Sequence, residues 1–579
     1  MSVTIEIDGR QLTVPEGMNL LEAALQNGIY IPHLCHHPDL PDLGSCRLCI
    51  VEVEGKEGVQ PSCKLKASEG MKVITDSPRI HSLRKLAMEL LLAAHPEDCS
   101  TCPKYGRCEL QTLIQYMGVS ATRMSARIKG FAQNDKNPLL IHDMNRCVLC
   151  GRCVRACGDL RGVGVLQYNK KELETYVGTL HDKLLTDADC RFCGACAEVC
   201  PTGTIRDLVE FTPVEKKDTL IPCQATCPTH TDVPRYVRLA KEGRWEEALA
   251  VVHERLPFPE CLGRVCAHPC ESNCRRGEVN EPVSIRNIKR YAAEHAGGEL
   301  WKKNSKHLPV TGKRVCVVGG GNVAFDCART ARRLGAEEIH LACLEAREKM
   351  TADEEEIEQA QEEGIQIHPA HTFEAILGPD RVSGVRFCNV KSFTFDENRR
   401  AVIVKEENSE HVIEADTVIF AVGQRTQISP EAGLELGRGN SIAVQPGSLR
   451  TSVPGIYACG DAVYGTRTVI QAVAAGRDAA SEIDKALGGS GDISEVLAPV
   501  EMPDAFLGRI EGFGHQARQP EVVRDAALRE NNFDAVSFGL ADEGVRQEAG
   551  RCLQCDLRFT ITPPRIWSDY DQNGKEAQQ

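Results

Sequence analysis

Apolar and polar residues alternate at the start of the chain. Val3, Ile5 and Ile7, then Leu12 and Val14, take every second position on either side of Asp8-Gly9. That is the period of half-buried strands joined by a two-residue hairpin turn. The spacing changes in "NLLEAALQNG" (19–28), where apolar residues fall three and four apart and predict a helix that stops at Gly28. Helix spacing returns from Tyr236 to Arg255, a stretch whose apolar face packs a small domain. A third arrangement, "GKRVCVVGGGNVAFDCARTARRLGAEEIHLACLE" (312–345), reads as strand, glycine turn, helix, strand. Just beyond it, "ADEEEIEQAQEEG" reads as a helix with a solvated face.

With 579 residues and 42% hydrophobic content, the chain is expected to form roughly three or four cores. The longest apolar-rich stretches, such as Leu86 to Ala94, fall well short of the ~18 residues a membrane span needs, and no basic, apolar leader opens the sequence. A cytoplasmic location without membrane insertion is therefore expected. A net charge of −14 argues against nucleic acid or an anionic membrane as partner. Cysteine is the outlier: 28 are present, mostly two or three residues apart. Disulfides are one use of such spacing, but without a leader, metal or cluster ligation in a reducing compartment is the expected one.

Cys35, Cys46, Cys49 and Cys63 can surround a [2Fe-2S] centre with four thiolates, zinc being the alternative. "HPEDCSTCPKYGRC" supplies His95, Cys99, Cys102 and Cys108, three thiolates and an imidazole for the open iron of a [4Fe-4S] cube. A histidine near cysteines is often incidental; its place between two other cluster motifs makes it a ligand candidate. Two runs of C-x2-C-x2-C-x3-C follow: Cys147, Cys150, Cys153, Cys157, then Cys190, Cys193, Cys196, Cys200. In this bacterial ferredoxin pattern the fourth cysteine of each run ligates the other cube. Cys147, Cys150 and Cys153 are thus expected to share a cube with Cys200, and Cys190, Cys193 and Cys196 with Cys157.

These four motifs, in this order, resemble the amino-terminal region of the largest peripheral-arm subunit of respiratory complex I, the small diaphorase subunit of NAD-linked [NiFe] hydrogenases and the start of many [FeFe] hydrogenases. The resemblance covers about residues 1–210. From Cys223 a second pattern adds Cys227, Cys261, Cys266, Cys270 and Cys274, and "RCLQC" near the end adds Cys552 and Cys555. This resembles the cluster domain of the glutamate synthase small-subunit family, which includes dihydropyrimidine dehydrogenase and the large subunit of ferredoxin-dependent transhydrogenase. There "RCLxC" usually opens the domain; here the tail has to return to it. The resemblance implies one cube on Cys223, Cys274, Cys552 and Cys555, and another on Cys227, Cys266 and Cys270 with its fourth ligand unassigned and Cys261 a neighbour.

Gly319, Gly321 and Ala324, with Asn322 in the turn, fit the G-x-G-x-x-A dinucleotide fingerprint. Glu345, after the second strand, is placed for the adenosine ribose and favours NAD over NADP, with Arg347 a partial counterweight. The related family carries a first FAD fingerprint well upstream; here the helical cluster domain runs almost directly into the nucleotide turn. "DTVIFAVGQRT" and "TSVPGIYACGDAVYGTRTVIQAVAAGRDAA", with Asp461, resemble the remaining half of an FAD domain, so FAD is expected to bind weakly or not at all.

The fold expected is an α/β multidomain one. Its parts are a β-grasp [2Fe-2S] domain (1–78), a [4Fe-4S] domain with one histidine and three cysteine ligands (79–136), a two-cluster ferredoxin-like domain (137–212), a helical two-cluster domain (213–300), a Rossmann-like NAD(P) domain (301–420), an FAD-domain remnant (421–490) and an extension that returns to the helical domain (491–579). The resemblance implies one [2Fe-2S] and five [4Fe-4S] clusters in an electron-transfer subunit of an NAD-linked, electron-bifurcating hydrogenase. Its implied partners are an FMN/NADH-binding subunit, a small [2Fe-2S] subunit, hydrogenase catalytic subunits and ferredoxin. The rivals are the NAD(P)H-binding subunit of a ferredoxin-dependent transhydrogenase and the equivalent subunit of a formate dehydrogenase complex. Cys261, Cys316, Cys327, Cys343, Cys388 and Cys459 are left to core packing.

Overall fold

A computed structural model describes the chain except for residues 120–122, 125–128, 306–327, 330, 332–335, 337, 351–353, 379–381, 396–400, 420–427, 429–432, 438–439, 466, 530–533 and 571–579. Strands Ser2–Ile7 and Arg10–Pro15 pair antiparallel across Asp8 (φ 51°) and Gly9 (φ 79°), the two left-handed residues of a tight hairpin turn. They belong to a five-stranded sheet in the order Arg10–Pro15, Ser2–Ile7, Lys72–Ile74, Ile50–Val53, Val59–Pro61. Helix Leu20–Gln26, capped by the Asn19 side chain on Glu22 N, buries Leu20, Leu21, Ala23 and Ala24 against it. Helices Pro78–Ala93 and Glu109–Met117 follow, and Met88, Leu110 and Leu113 close over Leu34 and Leu48 of the cysteine loop.

The ferredoxin-like part has two four-residue helices, Arg152–Arg155 and Ala195–Glu198, each entered through a left-handed glycine, Gly151 and Gly194. Strand Leu140–His142 pairs with Ile205–Asp207, and Gln167–Lys171 forms a hairpin with Glu174–Gly178. Next comes the helical part. The apolar stretch Tyr236–Arg255 forms two helices, Val233–Lys241 and Trp245–His253, rather than one. Gly243 (φ 76°) breaks it, donating its N–H back to Ala240 O. Helices Pro259–Val265, Ile285–His295 and, from the far end of the chain, Asp542–Gly550 complete this core.

In the nucleotide-type half, strand His340–Ala342 runs parallel to Gln366–His368, with helix Glu354–Glu362 burying Ile357 and Ala360 between them. An antiparallel sheet absent from the Rossmann-like expectation follows: His371–Leu377, Gly384–Phe395 and Ala401–Lys405, with His411–Ile413 also pairing the central strand. Helix Val469–Ala486 starts with a capping box between Thr468 and Gln471. No helix among the described residues is long and apolar enough to cross a membrane.

The tail then enters three of the cysteine-bearing cores. Leu497 and Ala498 enter the helical core, Phe513 and Leu553 the ferredoxin-like core, and Tyr570 the core of the first sheet.

Candidate metal centres

Cys35, Cys46, Cys49 and Cys63 are all buried, on the loop after the first helix and on the 3-10 turn Ser62–Lys64. Cys35 and Cys46, and Cys49 and Cys63, shift one another's pKa most strongly, and Cys35 and Cys49 act across the two pairs, so the four sulfurs form one group. Nearby, His36 bridges Asp42 (2.7 Å) and Glu22 (2.9 Å), fixing the loop to the helix.

His95 stands just past the helix Pro78–Ala93, and Cys108 caps Glu109–Met117. Burial lowers the His95 pKa to about 4, with Lys129 and Arg146 adding to the shift, so the ring is neutral at physiological pH. Its Nδ1 is buried without a hydrogen-bond partner. A neutral imidazole with an orphaned ring nitrogen is the donor a cube with three thiolates lacks. Two ion pairs attach this loop to the ferredoxin-like part: Arg146 to Asp98 (2.6 Å) and Arg152 to Glu109 (2.7 Å).

One cavity is lined by Cys147, Cys150, Cys153 and Cys200, with Met144, Val148 and Val177 around them. Cys157, Cys190, Cys193 and Cys196 form a second group, close enough that neighbouring sulfurs add to the upward shift that burial gives Cys157, Cys190 and Cys196. A third group joins Cys223 and Cys274 to Cys552 and Cys555 of the tail. Cys227, Cys266 and Cys270 make a fourth. Burial pushes Cys150 and Cys552 up to about 12 and Cys555 up to about 11. These sulfurs become thiolates only when a metal takes the proton's place.

A shared turn builds three of the C-x2-C motifs. Leu149 (φ 52°), Phe192 (φ 51°) and Gln554 (φ 51°) are left-handed, and each points its N–H at the preceding cysteine sulfur: Cys147 at 3.4 Å, Cys190 at 3.3 Å, Cys552 at 3.5 Å. Such N–H donors stabilise thiolate charge. The tail motif is therefore built like the ferredoxin motifs, although it lies hundreds of residues away.

Of the six cysteines left to core packing, Cys388 is buried and Cys343 and Cys459 are half-buried. Cys261 is exposed on Pro259–Val265, so packing does not account for it. Cys316 and Cys327 lie outside the described residues, as do Gly319, Gly321, Asn322 and Ala324. Glu345 follows strand His340–Ala342, its carbonyl accepting from Ala370 N (2.7 Å). Asp461 opens the short helix Asp461–Tyr464 and accepts from Arg467 N (3.3 Å). Tyr464 and Arg467 line an open cleft with Gly460, Gln471 and Pro228, the neighbour of Cys227.

Buried side chains other than the cysteines connect the groups. Arg191, 1% exposed and set between Cys190 and Cys193 in the chain, feels the charge of Cys552 of the tail as well and donates to Leu507 O (3.0 Å) and Gly508 O (3.2 Å). Its guanidinium lies 4.3 Å from the Phe513 ring centre, and that of Arg276 lies 4.5 Å from the same ring. Tyr236, 2% exposed, faces Cys223 as well as Cys227 and Cys270.

Residues 1–78 match the 2Fe-2S iron-sulfur cluster binding domain, 84–123 the NADH-ubiquinone oxidoreductase-G iron-sulfur binding region, and 137–206 the ferredoxin-like domain of NADH-quinone oxidoreductase subunit 3. The amino-terminal third is a complex I-type iron-sulfur region. Beyond this complex I-type region, residues 217–301 match dihydropyrimidine dehydrogenase domain II, 4Fe-4S cluster, and 287–479 match pyridine nucleotide-disulphide oxidoreductase. The chain is 28% identical to the NADP(+)-dependent formate dehydrogenase subunit beta of Moorella thermoacetica over 499 residues, covering 58% of this chain and 70% of that protein. To the NADP-reducing hydrogenase subunit HndD of Solidesulfovibrio fructosivorans it is 38% identical (35% of this chain, 36% of that one). It is 36% identical to the mitochondrial NADH-ubiquinone oxidoreductase 78 kDa subunit of Neurospora crassa (35% and 27%). It therefore spans only about a quarter to a third of the last two relatives. A solved structure of NAD+-reducing [NiFe]-hydrogenase in the H2-reduced state is 32% identical, covers 37% of this chain and 92% of that one, and has a TM-score of 0.33. These relatives are subunits of oxidoreductase complexes.

Proposed function

We propose that this chain is the iron-sulfur electron-transfer subunit of an NAD-linked, electron-bifurcating hydrogenase, working between an FMN/NADH-binding subunit and a separate catalytic subunit. Bound clusters would supply one-electron carriers. The chain's part is to hold them: Cys35, Cys46, Cys49 and Cys63 for [2Fe-2S]; His95, Cys99, Cys102 and Cys108 for the first cube; Cys147, Cys150, Cys153 and Cys200 for the second; Cys190, Cys193, Cys196 and Cys157 for the third; Cys223, Cys274, Cys552 and Cys555 for the fourth; Cys227, Cys266 and Cys270 for the fifth. The observation that carries this reading is the place of Arg191 of the ferredoxin-like part, whose guanidinium donates to Leu507 O and Gly508 O of the tail and lies over the Phe513 ring that Arg276 of the helical part shares. It makes the complex I-type region and the helical domain neighbours, and Tyr236 continues the sequence of contacts toward Cys227.

The carboxyl half is read as a scaffold with an NAD(H) site and little or no FAD. The alignment with the Moorella protein extends over 499 positions while occupying 58% of this chain, so that relative has segments with no counterpart here. This supports the loss of an upstream FAD fingerprint. The same relative, matched over 58% of this chain, favours a second reading in which the catalytic partner oxidises formate.

Anaerobic purification of the chain, with iron and extracted flavin measured together, tests the proposal. Iron for one [2Fe-2S] and five cubes without flavin is expected. One FAD per chain would overturn the relay reading in favour of a flavin-bearing, ferredoxin-dependent transhydrogenase subunit. Copurification from the source cell separates the catalytic partners: hydrogenase subunits are expected, and a formate-oxidising subunit alone selects the second reading.

A further inference from the structure

A five-residue turn occurs twice in the chain. "CPTGT" begins at Cys200 and "CPTHT" at Cys227, each with a left-handed residue in fourth place, Gly203 (φ 69°) and His230 (φ 51°). In both turns the two threonines are buried, Thr202 and Thr204 like Thr229 and Thr231, and their hydroxyl oxygens lie 2.9 Å apart. A hydroxyl has one proton to give, so the chemistry of each pair depends on where its second proton goes.

In the first turn it goes to the backbone. Thr202 donates to Arg146 O (2.9 Å), a carbonyl that can only accept, so Thr204 has to donate to Thr202. Neither proton is left for Cys200, and among the described residues no hydroxyl bonds that sulfur. In the second turn no carbonyl competes. Apart from each other, the Thr229 and Thr231 hydroxyls meet among the described residues only the Cys227 sulfur, at 3.3 Å and 3.7 Å. A metal-bound thiolate has no proton to give. Thr231 then donates to Thr229, the closer of the two to sulfur, and Thr229 donates to Cys227.

We propose that Thr229, oriented by Thr231, raises the reduction potential of the cube on Cys227, Cys266 and Cys270, a contribution that the matching turn withholds from the cube on Cys147, Cys150, Cys153 and Cys200. This rests on the reading that those cysteines hold cubes. Cys223, Cys274 and Cys552 share one core with Cys266 and Cys270. Reduction adds one electron, delivered by the cube on Cys223, Cys274, Cys552 and Cys555, which is oxidised by one; the proton stays on the Thr229 oxygen and no bond is broken. The sulfurs gain negative charge, and a hydrogen bond to sulfur stabilises it. Thr229 and Thr231 are positioning residues in this scheme. Pro228 of the same turn lines the open cleft with Tyr464 and Arg467, so the cube whose reduction is favoured is the one beside that cleft.

The test is an EPR-monitored redox titration of the full chain, reconstituted anaerobically. The signal lost in Cys227→Ala identifies the cube; if none is lost, the cluster assignment itself fails. In Thr229→Val, which keeps the shape and removes the hydroxyl, the midpoint of that signal is expected to fall by about 59 mV, a tenfold change in the reduced-to-oxidised ratio for a one-electron couple. Thr229→Ser, which restores the donor, is expected to stay near the wild-type midpoint, and Thr202→Val to leave the midpoint of the Cys200 cube unchanged. An unchanged midpoint in Thr229→Val, or an equal fall in Thr229→Ser, overturns the proposal. If Thr229→Val does not take up the cube, Thr231→Val decides: a smaller fall is expected there, and no fall overturns the proposal.

Discussion

Arg558 and Asp207 form a two-pronged ion pair, 2.6 Å and 2.8 Å between paired nitrogens and oxygens, across 351 residues of sequence. Both side chains are almost fully buried, and Arg275 also reaches Asp207 (3.4 Å). The pair attaches the segment after Cys555 to the end of the ferredoxin-like part. Removing one partner strands a buried charge, so Arg558→Ala is expected to cost roughly 3–5 kcal/mol. The tail should then detach, taking Cys552 and Cys555 with it. Thermal unfolding together with iron content checks this: a lower Tm and about one cube less iron are expected, and full iron at an unchanged Tm refutes the role given to the pair.

The same contact can be disturbed from the other side. A methyl group on Gly194 (φ 70°) would lie 2.6 Å from Arg558 Cδ, and the left-handed backbone there disfavours any side chain. Gly194→Ala is expected to destabilise by about 1–3 kcal/mol, and Gly158→Ala, where a methyl group meets nothing within 4 Å, by much less. Urea midpoints of the two variants should separate accordingly.

The imidazole of His95 should be replaceable by a thiolate and by nothing inert. His95→Ala leaves three cysteines, and a cube that loses an iron on mild oxidation is expected, visible as a [3Fe-4S] EPR signal absent from the wild type. His95→Cys should suppress that signal. A wild-type spectrum in His95→Ala would show that the ring is incidental.

Local chemistry made part of this molecule legible from its sequence. The Asp8-Gly9 turn and the helix from Leu20 depend on neighbouring residues, and both formed where the pattern put them. The cysteine spacings announced tight loops in the same way. The break at Gly243 was also written locally, in "KEGRW", but the apolar spacing on either side masked it. Alternation in "HTFEAIL" and "VRFCNVKSFTF" marked strands that the nucleotide-fold reading had absorbed. Arg191, Phe513, Arg558 and Asp207 gave no such signal: their meaning comes from contacts hundreds of residues long, which no periodicity encodes.

Stability should fall on the alkaline side through His36. Burial opposes its charge, but hydrogen bonds to Asp42 and Glu22 outweigh that and raise its pKa to about 9. A raised histidine pKa contributes fully below the unfolded value of about 6.5 and loses that contribution as pH rises to about 9. The shift corresponds to on the order of 3 kcal/mol. The Tm of the transition that includes residues 1–78 is expected to fall between pH 6.5 and 9, and His36→Gln to flatten that dependence. A profile that survives the substitution assigns the effect to other groups.

Glu345 gives the nucleotide-type half a sign. Its carboxylate follows strand His340–Ala342, and its own carbonyl is held by Ala370 N, which fixes the backbone beside the expected ribose position. A 2′-phosphate there would meet a negative charge at a cost of about 1 kcal/mol in a solvated setting, so NADH is expected to bind about fivefold tighter than NADPH. Glu345→Gln should remove most of that difference by improving NADPH binding rather than weakening NADH. Fluorescence titration of the full chain with each nucleotide measures both. Tighter binding of NADPH by the wild type would mean that Arg347, at the start of the next turn, governs the site instead.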